Sequence, residues 1–306
     1  MDCIVLAGNR ESYRSVAQED NKAFLRIGAA TILEIMLDEL AQVEDIDRLL
    51  LVGPSERLQD LFAARYGQDF PKPVIFYEQQ ADLVANILGV VAASAPDEDP
   101  DRVVLVLPSD IPMITRAEIR EFIGLCDMTR YDYVGGVTTG RALAQFHPVG
   151  EKRGIRMATF RLASGVYRIS NLHMVRPAAV KRGQYIRKTY ALRYQKRLTN
   201  MVRMLAGLLL LLARTPTAPF FYLWAQLVRS LDAAGYKGLS GLLAWPVRLE
   251  RAEKYISRIL GTRFKIVVTH FGGAAVDVDN DADYLAVCQR FEEWRQLMRG
   301  MEKSPE

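Results

Sequence analysis

The sequence predicts an α/β fold: a Rossmann-like, mostly parallel sheet with helices on both faces, plus a helical insertion. Three observations carry this expectation. Short β-branched or leucine-rich runs alternate with amphipathic stretches through the first half of the chain. The stretches between runs are long enough for right-handed βαβ crossovers. Half of the 306 residues are apolar and 25% are charged, which supplies a large core and excludes global disorder.

The elements follow in order. Strands are expected at 2–7, 48–52, 73–76, 102–107 and 133–137, each a run that suits a sheet covered on both faces. Helices fit between them at 31–42, 56–66, 82–94 and 116–126. Thr31 and Asp82 stand where N-caps belong, and Glu34, three residues after Thr31, completes a capping-box pattern. After Gly140 the pattern changes to short strand-like pieces at 156–160 and 166–169, and from Pro177 it becomes helical. A helix at 249–260, strands at 264–269 and 274–277, and a closing charged helix from 281 to about 298 complete the chain. The α/β domain is thus read as 1–170 with 262–306, and the insertion as 171–261.

Charge is segregated along the chain. Residues 1–151 hold 13 Lys/Arg and 25 Asp/Glu, residues 152–231 hold 16 and none, and residues 232–306 hold 11 and 11. The segments therefore carry −12, +16 and 0, and the middle one is expected to meet something anionic. Cys3, Cys126 and Cys288 are widely spaced and odd in number, which excludes a disulfide scaffold and a zinc ribbon and fits a reducing compartment. The opening apolar run is too short for a secretory signal, so the expected location is cytoplasmic.

Three segments carry candidate chemistry. The first strand ends in Leu6-Ala7-Gly8, where a glycine lets backbone N–H groups approach a phosphate, and the loop beyond reaches Lys22. The alternative is a plain β-to-α turn with a solvated lysine. The strand ending Pro108-Ser109-Asp110 delivers a carboxylate at its C-terminal edge, and Thr115 supplies a better cap for the next helix, leaving Asp110 to hold a divalent cation. In Asp277-Val278-Asp279, strand alternation would put both carboxylates on one face to share that cation, whereas Asp281 and Asp283 suit a helix N-terminus. The run lacks the glycine and closing glutamate of a calcium loop.

Taken together, Leu6-Ala7-Gly8, Lys22-Ala23-Phe24-Leu25, Ile27-Gly28, the segment Pro108 to Thr115 and Val276-Asp277-Val278-Asp279 resemble the MobA-like NTP-transferase family. The resemblance covers about residues 1–150 and 262–290. It implies the nucleotide-diphospho-sugar transferase (GT-A-like) fold and transfer of a nucleotidyl group from an NTP, CTP or GTP, to a phosphorylated acceptor with release of pyrophosphate. It also implies that Gly8 and Lys22 hold the NTP phosphates, that Asp110 binds Mg²⁺, and that Asp279 makes the late metal or ribose contact. Where the family carries a second glycine and a Gly-x-Arg signature, this chain has Asn9, with Arg10 or Arg14 to supply the charge. Asn tolerates left-handed backbone better than most residues. Asn86 and Asn171 are placed where related folds recognise base or acceptor. A non-catalytic nucleotide- or sugar-binding relative and a glycosyltransferase using a nucleotide-sugar stand as alternatives.

The insertion lies outside the core of that resemblance. Basic residues from Arg187 to Arg203 interleave with leucines at three- and four-residue spacings, followed by an apolar run at 204–213 and Phe220-Phe221-Tyr222-Leu223-Trp224. Two readings are open: an amphipathic element over 187–224 seated on an anionic membrane surface at the inner face, making a lipid phosphate a candidate acceptor, or a helical lid packed on the sheet domain. The ten-residue run is too short to cross a bilayer. Nucleic acid is not expected, because no helix-turn-helix, RNA-recognition or zinc-finger signature is present. His147, His173 and His270 are dispersed without ligand spacing and are expected to be structural.

Overall fold

A computed structural model describes residues 1–8, 15–94, 99–182 and 218–302. The sheet is built from β1 (Asp2–Leu6), β4 (Arg48–Gly53), β5 (Val74–Glu78), β6 (Val104–Pro108), β7 (Tyr133–Thr139), β9 (Gly165–Val175) and β10 (Phe264–Thr269). They lie in the order β10-β7-β9-β6-β1-β4-β5, with β8 (Phe160–Leu162) hairpinned onto β9. All pairings in the row are parallel except those of β9, which runs antiparallel between β6 and β7. A two-residue pair, β2 (Arg26–Ile27) and β3 (Ala30–Thr31), forms a separate small hairpin.

Both faces of the sheet are covered. Alternate residues of β1 point to opposite sides: Cys3 and Val5 join one core with α1 (Ile32–Leu40), α2 (Ser55–Tyr66), α4 (Arg116–Leu125) and α9 (Asp281–Glu302), while Ile4 joins Val90 of α3 (Leu83–Ser94) on the other. A third, smaller core carries Val137 and Tyr167 against Val228, Ala244 and Val247. It seats α6 (Ala218–Ala233) and α7 (Lys237–Leu243), which follow the short α5 (Gly140–Leu143) and precede α8 (Leu249–Leu260). The closing helix α9 buries Trp294 against Phe146, and its buried Arg295 holds Glu39 at 2.8 Å and the Pro112 carbonyl at 3.0 Å. Those contacts brace the loop that follows Asp110.

Local sequence explains the element starts. Thr31 caps α1 with a complete capping box: its hydroxyl accepts from Glu34 N–H, and Glu34 accepts from Thr31 N–H at 2.6 Å. Asp82 accepts from Ala85 N–H ahead of α3. Gly53 ends β4 because the strands converge there: a Cβ would sit 2.6 Å from the Ala7 carbonyl oxygen.

Two expectations are corrected. The two short pieces at 156–160 and 166–169 are a β-hairpin whose second strand, β9, runs to Val175 and crosses the boundary drawn at residue 170. It extends because the gap between β6 and β7 leaves both their edges to be satisfied. Residues 274–277 form no strand. A short turn at Gly273–Ala275 replaces it, since the backbone N–H of Ala274 goes to the Glu118 carboxylate and the Ala274 carbonyl accepts from Asn171. From Pro177 the described chain is helical as expected, with a short turn at Pro177–Ala179 and then α6, α7 and α8; residues 183–217 lie outside the described residues. Among the described residues no helix is long and apolar enough to cross a membrane.

Candidate active site

In an open α/β sheet, ligands gather at the carboxyl edge where neighbouring strands depart in opposite directions. Here that point lies between β1 and β6, because β4 follows on one side of β1 and β6 stands on the other. The Leu6 carbonyl accepts from Ser109 N–H at 3.1 Å, and Ala7 N–H donates to Val52 at 2.7 Å, leaving Gly8 exposed at the mouth. The side chain of Gln79, from the end of β5, stands directly over Gly8. Asn9, Arg10 and Arg14 lie outside the described residues.

Lys22 is brought to this edge by Asn21. The Asn21 amide donates to the Ala7 carbonyl at 2.8 Å while its oxygen accepts from Ala23 N–H, so one side chain both caps the turn and pins it to β1. Two residues in the left-handed region, Ala17 and Gln18, turn the preceding loop, and Asp281 clasps it through Ala17 N–H at 2.7 Å. The Lys22 ammonium then lies 3.1 Å from Asp110 and 2.7 Å from Asp279. The late loop reaches the site because Val278 N–H donates to the Asp110 carbonyl at 3.0 Å.

Asp277 and Asp279 do not share a face as strand alternation predicts. Without a strand at 274–277 the two diverge: Asp279 goes to Lys22, and Asp277 pairs with Arg168 of β9 at 2.5 Å. Arg168 also donates to the Ala275 carbonyl at 2.9 Å. Three carboxylates thus face two cations. Burial pushes the Asp110 carboxyl above its usual range; Lys22 opposes this, and Asp277 and Asp279 add to it. Burial alone would lower the Lys22 ammonium, yet Asp110 and Asp279 together lift it well above its ordinary value.

This donor set fits a divalent cation. Carboxylate oxygens are the ligands Mg²⁺ takes, and one uncompensated negative charge remains after Lys22 and Arg168 are counted against Asp110, Asp277 and Asp279. Among the described residues no three His, Cys, Asp or Glu side chains converge to hold a metal ion unaided. Mg²⁺ commonly completes its shell with substrate phosphate and water, so two carboxylates suffice.

Glu118 was invisible to sequence reading because Thr115-x-x-Glu118 looks like a second capping box. Only half of that box forms: Thr115 accepts from Glu118 N–H at 3.2 Å, but the carboxylate turns away to accept from Gly272 N–H at 3.1 Å and Ala274 N–H at 2.8 Å. With Asn171, whose amide donates to the Ala274 carbonyl at 3.0 Å, it anchors the loop that carries Asp277 and Asp279. Burial pushes Glu118 up to about 7, against the pull of the two backbone N–H groups. The folded carboxyl therefore holds its proton longer than the unfolded one. Between about pH 4.5 and pH 7 the unfolded chain binds fewer protons, so this group's contribution to stability falls as pH rises, by up to about 3 kcal/mol. Glu118→Gln is expected to flatten that slope. Urea midpoints of both proteins at about pH 5 and about pH 8 check it, and an unchanged slope in the variant assigns the effect to another group.

Asn86 and the histidines make local contacts. The Asn86 side-chain oxygen accepts from Gln80 N–H, so Asn86 shapes the loop after β5 beside Gly8. The three histidines are dispersed, as expected. His173 is half-buried, contacts the Tyr133 hydroxyl at 3.2 Å, and is held down at about 4 by desolvation; His270 pairs with Glu121; His147 accepts from Arg290 through its carbonyl. His147 also lines a cleft of about 490 Å³ with Thr139, Arg141, Thr159, Ser164 and Tyr167. Arg168, which holds Asp277, also donates to the Ala158 carbonyl at 3.0 Å, between Met157 and Thr159 of the cleft wall.

The comparisons with known proteins bear on the family and the fold. The model of the MobA-like NTP transferase domain matches residues 3–244. No curated protein matches the chain. Among solved structures, a hypothetical transferase from Thermus thermophilus is 23% identical with a TM-score of 0.56, over 92% of this chain and 98% of that one. The 4-diphosphocytidyl-2C-methyl-D-erythritol synthase of Anaerococcus prevotii DSM 20548 is 11% identical with a TM-score of 0.51, over 95% of each chain. At these identities the two structures share the fold with this protein. The family model spans well over half of the chain, which belongs to the MobA-like NTP transferase family and is a nucleotidyltransferase.

Proposed function

We propose that the protein transfers a nucleotidyl group from an NTP, CTP or GTP, to a phosphorylated acceptor in a Mg²⁺-dependent reaction that releases pyrophosphate. The observation that carries the reading is Lys22 held between Asp110 and Asp279 at the β1/β6 edge. Nucleotidyl transfer needs little covalent help from the protein. It needs the α-phosphate held in line with the attacking oxygen and its developing charge neutralised.

Each part has a residue. Backbone at Leu6, Ala7 and Gly8 admits the triphosphate, with Asn9, Arg10 and Arg14 following in the chain, and Lys22 turns from its carboxylates toward phosphate oxygen. Asp110 and Asp279 would hold Mg²⁺, which supplies charge neutralisation on the phosphates. The loop held by Asn86 and capped by Gln79 suits the base. The cleft with Arg141 and four hydroxyl-bearing residues suits a phosphorylated acceptor, a small molecule or a lipid phosphate. The basic and apolar stretch at 187–224 supports an anionic membrane surface at the inner face, although 187–217 lies outside the described residues.

A panel of NTPs and nucleotide-sugars, screened for Mg²⁺-dependent thermal protection and then for pyrophosphate release with phosphorylated acceptors, tests the proposal. Protection by one NTP that requires Mg²⁺, followed by pyrophosphate release, is the expected result. Hydrolysis of a nucleotide-sugar without pyrophosphate chemistry would instead make the protein a glycosyltransferase, and Mg²⁺-independent binding a non-catalytic relative.

A further inference from the structure

Large apolar side chains on the surface are concentrated in one place. Of the thirteen that are exposed among the described residues, seven fall between residues 223 and 245, on α6, α7 and the turn after them. Leu242 and Trp245 are the extremes, at 74% and 65% exposed, with Tyr236 at 62%. Scattered single residues of this kind need no explanation, but a cluster with two tryptophans and a tyrosine does.

The elements carrying them are well anchored on their other side. Val228 and Ala244 are buried with Tyr167 and Val247, Arg161 binds Asp232 at 2.7 Å, Ser240 donates to Asp232 at 2.9 Å, and the Trp224 indole donates to the Leu243 carbonyl at 2.8 Å. The pair is therefore a rigid projection. The acid at position 232 is neutralised by Arg161, whereas exposed Arg229 and Lys237 have no ion pair among the described residues. The chain leading into the pair is the most basic part of the protein: residues 152–231 hold 16 Lys/Arg and no Asp/Glu.

We infer that the α6–α7 face is a docking surface for an anionic lipid bilayer. Exposed leucines supply apolar area, Trp and Tyr suit the depth of the headgroups, and the exposed cations select an anionic leaflet. An apolar protein partner would account for the leucines but not for the exposed Arg229 and Lys237 among them. The contact proposed for this face is with one leaflet, and no described helix is long and apolar enough to span a bilayer. Tyr167 belongs both to the core beneath this face and to the wall of the Arg141 cleft, so docking would hold the cleft about one helix diameter, roughly 10 Å, from the surface. The link to a lipid-borne acceptor rests on the nucleotidyltransferase proposal; the docking itself does not.

Flotation of the full-length protein with vesicles, without nucleotide, tests it. The vesicles are phosphatidylcholine alone and phosphatidylcholine with phosphatidylserine, each at low and high salt. The protein is expected to float with the anionic vesicles at low salt and to be released as salt rises. Leu242→Ser with Trp245→Ser, both at exposed positions, is expected to reduce flotation at least tenfold while leaving the melting temperature unchanged. Arg229→Gln with Lys237→Gln is expected to reduce only the salt-sensitive part, by roughly fivefold per charge. Inorganic phosphate at constant ionic strength distinguishes headgroup capture in the cleft from docking on the face: release by phosphate would overturn the proposal, and retention supports it. Failure to float with anionic vesicles at low salt, equal flotation of the serine variant, or loss of self-association in that variant without any vesicle binding would also overturn it. A protein that floats as described yet releases no pyrophosphate refutes the nucleotidyltransferase proposal alone.

Discussion

Replacing Asp110 with asparagine is expected to lower pyrophosphate release by about 10²- to 10³-fold, the loss typical of removing one electrostatic contact to a developing charge. Asparagine keeps the shape of the side chain. The Asp110 carbonyl, which receives Val278 N–H, is untouched, and Lys22 retains Asp279. The fold is therefore preserved and the defect is chemical. Single-turnover pyrophosphate release, with melting curves in the presence and absence of Mg²⁺ and NTP, separates the two. A rate within a few-fold of wild type, in a variant that still gains stability from Mg²⁺ and NTP, would remove Asp110 from the site.

Removal of Lys22 is expected to act on stability, rate and pH dependence together. Lys22→Met leaves Asp110 and Asp279 without their shared cation while Asp277 stays on Arg168. Asp110 is well screened from water but Asp279 is 54% exposed, so the cost is discounted from that of a fully buried pair to about 1–3 kcal/mol. The Asp110 carboxyl already titrates above its ordinary value, and Lys22 is the main influence holding it down. Without Lys22 it rises further, so the pH needed to ionise it rises too. The acid limb of the pH–rate profile is expected to move to higher pH, and turnover is expected to slow by about 10²-fold or more. An acid limb that stays in place while the rate falls would mean that Lys22 acts on phosphate alone and Asp110 does not govern the limb.

The parts of the fold that were legible are those whose pattern closes over a few neighbouring residues. β1, β4 and β6 are runs buried on both faces, and Thr31 with Glu34 forms its box within one turn. The full length of β9 was hidden because its alternation matters only once β6 and β7 stand on either side of it. Its residues Arg168 and Asn171 hold the loop that presents Asp277 and Asp279. Glu118 was obscured for a related reason: a local cap pattern fitted it, and only packing against the loop at 272–274 redirects the carboxylate.

By itself the sequence determined the α/β class, the order of the chemistry-bearing segments and the polarity of the charge segments. Gly8, Lys22, Asp110 and Asp279 were each recognisable from residue type, neighbours and the family pattern. Tertiary structure alone decided which of them meet. Lys22 is 88 residues from Asp110 and 257 from Asp279, and strand alternation wrongly paired Asp277 with Asp279 where folding sends the former to Arg168. Periodicity records which way a side chain points along its own element. A contact across hundreds of residues depends on strand order and on which backbone groups a neighbouring element has left unsatisfied, and both exist only once the chain has packed.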